Sequence, residues 1–357
     1  MATLPKYFIT INPKDLASMK EDIWNEDYKM GRLLTGTENY KINISLRGNQ
    51  TRKHPKKSYH IVFKQPFFME GQHEIHLNAE FNDISLIRNK LSLDFFNRIG
   101  VLAPNSKHVL LYINGFFQGI YLQLESFDQF YLQKRKLPKG SIYYATNDDA
   151  NFSLITPEHT IKTTLTDGYT PKLSIQSDEQ LKLFIAFINT VNQEQFCNDI
   201  NQFIDIDKYL KWLAGVVCTQ NFDGFIHNYA IYQNSKTNLF ELSPWDYDGS
   251  WGRDLHGHPL SYDYIPIQGY NTLSGRLLDC KLYRKKYKEI LKEILENHFT
   301  THVIQPYIEE LHSLISPFVS DDPFVKDRIA SFSIEKNFIL DFISKRKQYL
   351  TNELQGL

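Results

Sequence analysis

Apolar and polar residues alternate with a period of two in several stretches of the first third of the chain. Residues 41–46 and Ser58–Phe63 follow that pattern, which predicts half-buried strands, and residues 7–11 form another short apolar run. Between the two alternating stretches lies Arg47-Gly48-Asn49-Gln50-Thr51-Arg52, a polar connection with one glycine. Residues 13–24 instead place Leu16, Met19, Ile23 and Trp24 at helical spacing. Asp83 heads a second predicted helix over 84–99, striped by Leu86, Ile87, Leu91, Phe95 and Ile99 and stopped by Gly100. Residues 109–113 and 116–124 then flank Asn114-Gly115, a strong short-range hairpin signal.

From Gln180 onward helical periodicity is frequent, at 181–191, 209–217, 283–295 and 334–350. A strand-rich front and a helix-rich back predict an α+β protein of two lobes, an N-lobe over 1–127 and a C-lobe over 128–357. The joint falls near residues 125–128. Residues 146–172 are polar, turn-rich and weakly periodic, and read as a long surface insertion.

Composition narrows the function classes. With 357 residues, 42% of them hydrophobic and 14% aromatic, the chain can bury more than one core. Its 40 basic and 41 acidic residues nearly cancel, so no global charge points to nucleic acid. The lysines of 281–292 read as the solvated face of a helix. No stretch reaches the ~18 apolar residues of a membrane span, and no apolar leader stands at the start. Cys197, Cys218 and Cys280 are odd in number and far apart, which predicts three reduced, buried thiols, no zinc site and a reducing cytosol.

The chemistry concentrates between Asn221 and Arg253. Two apolar-rich stretches, 229–233 and 239–243, are separated by a polar turn; paired as a hairpin, they bring their outer ends together. Those ends are Asn228 and Asp246, and Asp223 lies five positions before Asn228. An amide oxygen and a carboxylate are hard ligands suited to Mg²⁺ on a nucleotide's phosphates. A separate aspartate can position and deprotonate an attacking hydroxyl. Asp248 shares the parity of Asp246 and is a candidate second ligand. Each Asp and Gly here also suits an ordinary turn; it is the combination that points to phosphoryl transfer. In the front lobe, Gly48 could let backbone approach phosphates, or simply make a turn. Lys57 could pair with phosphate oxygens, or sit on a solvated edge. Glu125 reads equally as a nucleotide contact and a surface acid, and Trp245 as an adenine stack or a core residue. His227 has no nucleophile partner and reads as structural or substrate-contacting.

These segments resemble the CotH kinase family of spore-forming bacteria. The likeness is carried by Leu46-Arg47-Gly48-Asn49, Pro55-Lys56-Lys57-Ser58-Tyr59-His60, Glu74-Ile75-His76-Leu77-Asn78-Ala79-Glu80, Leu86-Ile87-Arg88-Asn89-Lys90-Leu91-Ser92-Leu93-Asp94-Phe95-Phe96 and Gly119-Ile120-Tyr121-Leu122-Gln123-Leu124-Glu125, and most strongly by 221–229 and 244–254. The resemblance implies a distant two-lobed protein-kinase-like fold using ATP and Mg²⁺ to phosphorylate serines of other coat proteins, first in the mother-cell cytoplasm and then in the spore coat. It makes Lys57 the phosphate-contacting lysine, Asp223 the catalytic aspartate, Asn228 and Asp246 the metal ligands, and Tyr144 with Trp245 the adenine enclosure. The chain departs from ordinary kinases in lacking GxGxxG, His-Arg-Asp, Asp-Phe-Gly and Ala-Pro-Glu. A non-catalytic coat-assembly scaffold and an AMP transferase remain the alternatives.

Overall fold

The computed structural model describes residues 3–66, 68–175 and 177–357. The strands and helices in chain order are β1 (Lys6–Ile11), α1 (Pro13–Glu21), β2 (Lys29–Thr35), β3 (Glu38–Arg47), β4 (Ser58–Phe63), β5 (Glu74–Asn78), α2 (Arg88–Arg98), β6 (Ser106–Ile113), β7 (Phe116–Glu125) and α3 (Gln129–Lys134). There follow β8 (Gly140–Ala145), β9 (Tyr169–Leu173), α4 (Glu179–Thr190), α5 (Gln193–Asp199), α6 (Ile206–Thr219), β10 (Tyr229–Asn234), β11 (Phe240–Pro244), α7 (Thr272–Asp279), α8 (Lys281–Asn297), α9 (Thr301–Val319) and α10 (Ile329–Glu353). The architecture is α+β, as the periodicities predict. Contacts group it into two compact units that interleave in sequence.

The first unit comprises Met1–Lys90, Asn105–Ser126 and Tyr307–Lys336. Its strands close into a barrel in the order β1-β2-β3-β4-β5-β7-β6, sealed by a parallel β1–β6 pairing in which Tyr7 faces Leu111. Every second residue of β4 (Tyr59, Ile61, Phe63) points into the core with Ile9, Leu33, Ile44, Leu77 and Val109. Burying each such side chain is worth roughly 1.5–3 kcal/mol. The β6–β7 hairpin turns at Asn114 (φ 49°) and Gly115 (φ 83°), the backbone sign that makes Asn-Gly the preferred pair there. The helix expected from 84 begins later, at Arg88. Leu86 has φ 58°, and the Asp83 carboxylate instead accepts from Ser85 N, Ser85 Oγ and Arg88 N, so 83–87 is a capped turn.

The second unit comprises Leu91–Pro104, Phe127–Pro306 and Asn337–Leu357. It holds a four-stranded sheet in the order β11-β10-β8-β9 with helices around it. The α6 helix is apolar nearly all round and buried along most of its length, with Tyr209, Leu210, Leu213, Val216 and Val217 fully covered. Arg346 of α10, also fully buried, donates to Val217 O and Ile265 O, satisfying carbonyls that a helix end and a loop would otherwise leave unpaired.

Two expectations need correction. Cys197 and Cys280 form a disulfide across 83 residues, so only Cys218 is a free thiol, buried in α6 with its pKa pushed up to about 12 by burial. A pairing between α5 and the residue after α7 depends on tertiary proximity that spacing does not encode. Residues 146–172 are not merely a surface insertion. Ala150 and Phe152 are fully buried, and the segment ends in β9, which pairs with β8. Among the described residues, no helix is long and apolar enough to cross a membrane.

Candidate active site

The hairpin expected between 229 and 243 is present, and its register fixes the site. β10 and β11 pair antiparallel from Gln233↔Phe240 to Tyr229↔Pro244, and Trp245 N donates to Asn228 O at 2.9 Å just beyond the last pair. Asn228 (φ 55°) and Asp246 (φ 61°) both then turn into left-handed backbone. That conformation costs an ordinary L-residue roughly 1–2 kcal/mol; Asn and Asp tolerate it best among non-glycines. The two bends curl the strand ends toward each other, and Asn228 Nδ2 donates to Asp246 O at 3.2 Å.

The loop leading in springs from the end of α6, where Gln220 caps the helix in the left-handed region. Asn221 Oδ1 accepts from Gly224 N at 2.9 Å, and Asp223 O accepts from His227 N at 2.8 Å, closing a compact turn around Asp223. Gly224 is required there, since a Cβ would stand 2.8 Å from the Tyr247 hydroxyl.

Asp223, Asn228, Asp246 and Asp248 line one cavity of about 180 Å³, together with Asn221, Asp254 and the apolar Phe222, Leu260 and Tyr264. Four carboxylates and two amides therefore meet with no Lys or Arg among the described lining residues. Burial, with added like charge from Asp148 and Asp246, pushes the Asp223 carboxyl above its ordinary range against the opposing pull of His227. Asp254 differs: although burial disfavours its charge, backbone N–H groups of His258 and His256 hold its carboxyl below the usual range. An all-oxygen set of carboxylates and amides suits a hard divalent cation. Among the described residues, no group of three His, Cys, Asp or Glu side chains is already drawn together as a metal cage.

Tyr144 and Trp245 are also brought together, with ring centroids 5.3 Å apart, and Phe127 packs on both. At that spacing the two rings form one wall and leave no slot between them for a base. Gly48, Lys57 and Glu125 belong to the barrel unit. Gly48 (φ 94°) opens the turn after β3, and its carbonyl accepts from Arg52 Nε at 2.6 Å. Lys57 is half-buried, with Nζ on Arg52 O, and its pKa is lowered by burial. Glu125 is buried and accepts from Asn105 N at 3.0 Å, so it is not a surface acid.

Sequence reasoning missed Lys56 and Asp148. Lys56 is fully buried, 2.9 Å from Asp322 Oδ2 and 2.6 Å from Ile120 O; no local pattern announces a partner 266 positions away. Asp148 lies in the supposed insertion, 2.8 Å from His227 Nδ1. Asn221 was named only as the start of the chemistry-bearing segment, and its turn onto Gly224 N is seen in the structure.

Comparison with known proteins places these features. The family described as CotH kinase protein matches residues 44–350. The inner spore coat protein H of Bacillus subtilis (strain 168) is 46% identical over 358 residues, covering 100% of this chain and 99% of that protein. The inner spore coat protein H-like protein of the same strain is 29% identical over 304 residues, covering 85% of this chain and 87% of that protein. Among solved structures, a chain of the Shewanella oneidensis MR-1 HipA–HipB toxin–antitoxin complex with its operator DNA aligns at 13% identity, covering 100% of this chain and 76% of that one. Its TM-score of 0.42 is too low to argue from.

Proposed function

This chain belongs to the CotH kinase protein family, and from that membership and its acidic cavity we propose that it is an atypical serine/threonine protein kinase acting on spore-coat proteins. The observation that carries the reading is the paired left-handed bend at Asn228 and Asp246, which gathers two oxygen donors beside Asp223 at the mouth of one hairpin. Asn228 and Asp246, with Asp248, are the donors for Mg²⁺, which when bound would neutralise charge on the nucleotide's phosphates. Asp223 accepts the proton of the substrate serine hydroxyl; its partly desolvated carboxyl is a stronger base than an exposed one. Lys57 supplies a point charge to phosphate oxygens, and the Tyr144–Trp245 wall gives the adenine an apolar face. The relatives are named as inner spore coat proteins, and action on other coat proteins, in the mother cell and then in the coat, is part of this proposal. A pure scaffold needs no such acidic cavity.

The test pairs calorimetric titration of Mg-ATP with phosphate incorporation into a coat-protein substrate. Asp246→Asn keeps a residue that tolerates left-handed backbone while removing one negative charge, so Mg-dependent nucleotide affinity falls along with turnover. Asp223→Asn leaves Mg-ATP affinity within a few-fold and lowers transfer by roughly 10²–10⁴. Nucleotide binding lost in Asp223→Asn and retained in Asp246→Asn reverses the roles, and full activity in both removes the kinase reading. The intact mass of the product separates transfer of phosphate from transfer of AMP.

A further inference from the structure

We propose that His227, anchored by Asp148, is a positioning residue that sets the orientation of the Asp223 carboxylate, and that the 146–168 excursion exists to hold this anchor. The inference rests on the kinase reading, in which Asp223 meets the substrate hydroxyl. His227 presents Nδ1 to Asp148 Oδ1 at 2.8 Å and Nε2 to Asp223 Oδ2 at 3.6 Å. The close contact with Asp148 holds one edge of the ring, and the opposite nitrogen faces the base.

The excursion is built to keep Asp148 in place. Asn147 Oδ1 accepts from Asp149 N at 3.0 Å, and Lys162 Nζ donates to Asp149 O and to Asn151 Oδ1. Gly168 (φ 88°) lies so close beneath that a Cβ would stand 2.4 Å from Ala150 N. The hydroxyls of Tyr229 and Tyr169 both donate to Ala150 O. Phe152, fully buried, stacks on Tyr229 with centroids 5.7 Å apart and planes 9° apart. Tyr229 directly follows Asn228, so one anchor ties the excursion to the strand that carries the site.

A surface ion pair kept only for stability would matter little, because Asp148 is half exposed. Orientation is different, since a small displacement of a reacting group costs rate heavily. Asp148→Asn is therefore expected to lower kcat about 10-fold, as outer-shell substitutions do, with KM for ATP within twofold and thermal stability unchanged. His227→Gln should lower kcat at least as much. The double variant should be no worse than His227→Gln alone, because the two act in series. In the nucleotide-free protein, the ¹⁵N ring signals of His227 should move in Asp148→Asn, a readout independent of turnover. Wild-type kcat in Asp148→Asn, additive losses in the double variant, a change in KM alone, or unmoved ring signals would each overturn the role. If His227→Gln fails to fold, Asp148→Asn and its ring signals still decide. A wild-type protein that transfers nothing would refute the kinase reading and this role with it; normal wild-type transfer with an indifferent Asp148→Asn would refute this role alone.

Discussion

Lys56 and Lys57 are neighbours with different surroundings, one fully buried and one half-buried, and exchanging each for methionine separates a structural ammonium from the one proposed to meet nucleotide. Both precede β4, which begins at Ser58, so the split is set by the path of the turn between β3 and β4. Lys56 Nζ is bonded to Asp322 Oδ2 at 2.9 Å with both side chains wholly buried, and stands 4.9 Å above the Tyr121 ring. In Lys56→Met the Asp322 carboxylate stays buried, supported among the described residues by Ile120 N at 2.8 Å and Phe324 N at 3.0 Å. Breaking one side of a buried pair costs about 3–5 kcal/mol, and the two surviving donors place this case near about 3. At about 2–4 °C per kcal/mol, the Tm should drop by about 6–12 °C. Adding Asp322→Asn removes the stranded charge and should recover much of that loss. Lys57→Met gives up one hydrogen bond at a half-buried site, about 1 kcal/mol, yet should weaken Mg-ATP binding. The assay is calorimetric unfolding of both variants alongside Mg-ATP titration. A Lys56→Met protein of normal Tm that no longer binds Mg-ATP would refute the reasoning and make Lys56 the nucleotide lysine.

Three further predictions concern the disulfide and the aromatic wall. Thiol titration of the denatured, unreduced protein should find one thiol, Cys218, and three only after reduction; three without reduction would remove the 197–280 bridge. Cys197→Ser should cost about 2–4 kcal/mol, the range for cross-links closing long loops, read as a lower denaturation midpoint. Mg-ATP should change the tryptophan fluorescence, and Trp245→Phe should abolish that change, because Trp245 is the tryptophan in the Tyr144 wall; an undiminished change would move the adenine elsewhere.

The parts of the fold that were legible are those in which local chemistry and final burial agree. β4 was read with its observed bounds because Tyr59, Ile61 and Phe63 face the core and their neighbours do not. Asn114-Gly115 was read because its φ angles admit few other residues. β5 escaped for the opposite reason. Glu74, His76 and Asn78 are buried as well as Ile75 and Leu77, so its polar face carries partners, among them Ser126 on Glu74 and Arg47 on Asn78, that alternation cannot reveal. β2 offers a strand with Met30 and Arg32 exposed and a glycine between them, too weak a pattern to stand alone. The parallel closure of β1 on β6 joins residues about a hundred positions apart, and only tertiary structure reports it.

The site divides in the same way, and the division says where to look for its function. Asp223, Asn228, Asp246 and Asp248 were legible because a hairpin converts separation in sequence into adjacency in space, and pairing rules give that adjacency without coordinates. What no pairing rule supplies is the sharp left-handed turn at both ends. Had Asn228 and Asp246 continued as extended strand, their side chains would alternate away with the pleat. Because both bend, each at a position where alanine would be strained, the amide and the carboxylate enter one cavity. On the proposed reading, Asn and Asp serve twice here, as oxygen donors and as the non-glycine residues that accept the bend. An Asn→Ala or Asp→Ala change at these positions removes a donor and distorts the loop together. Substitutions that keep an Asx side chain separate the two effects, so the role of the donor set is best read from Asp246→Asn.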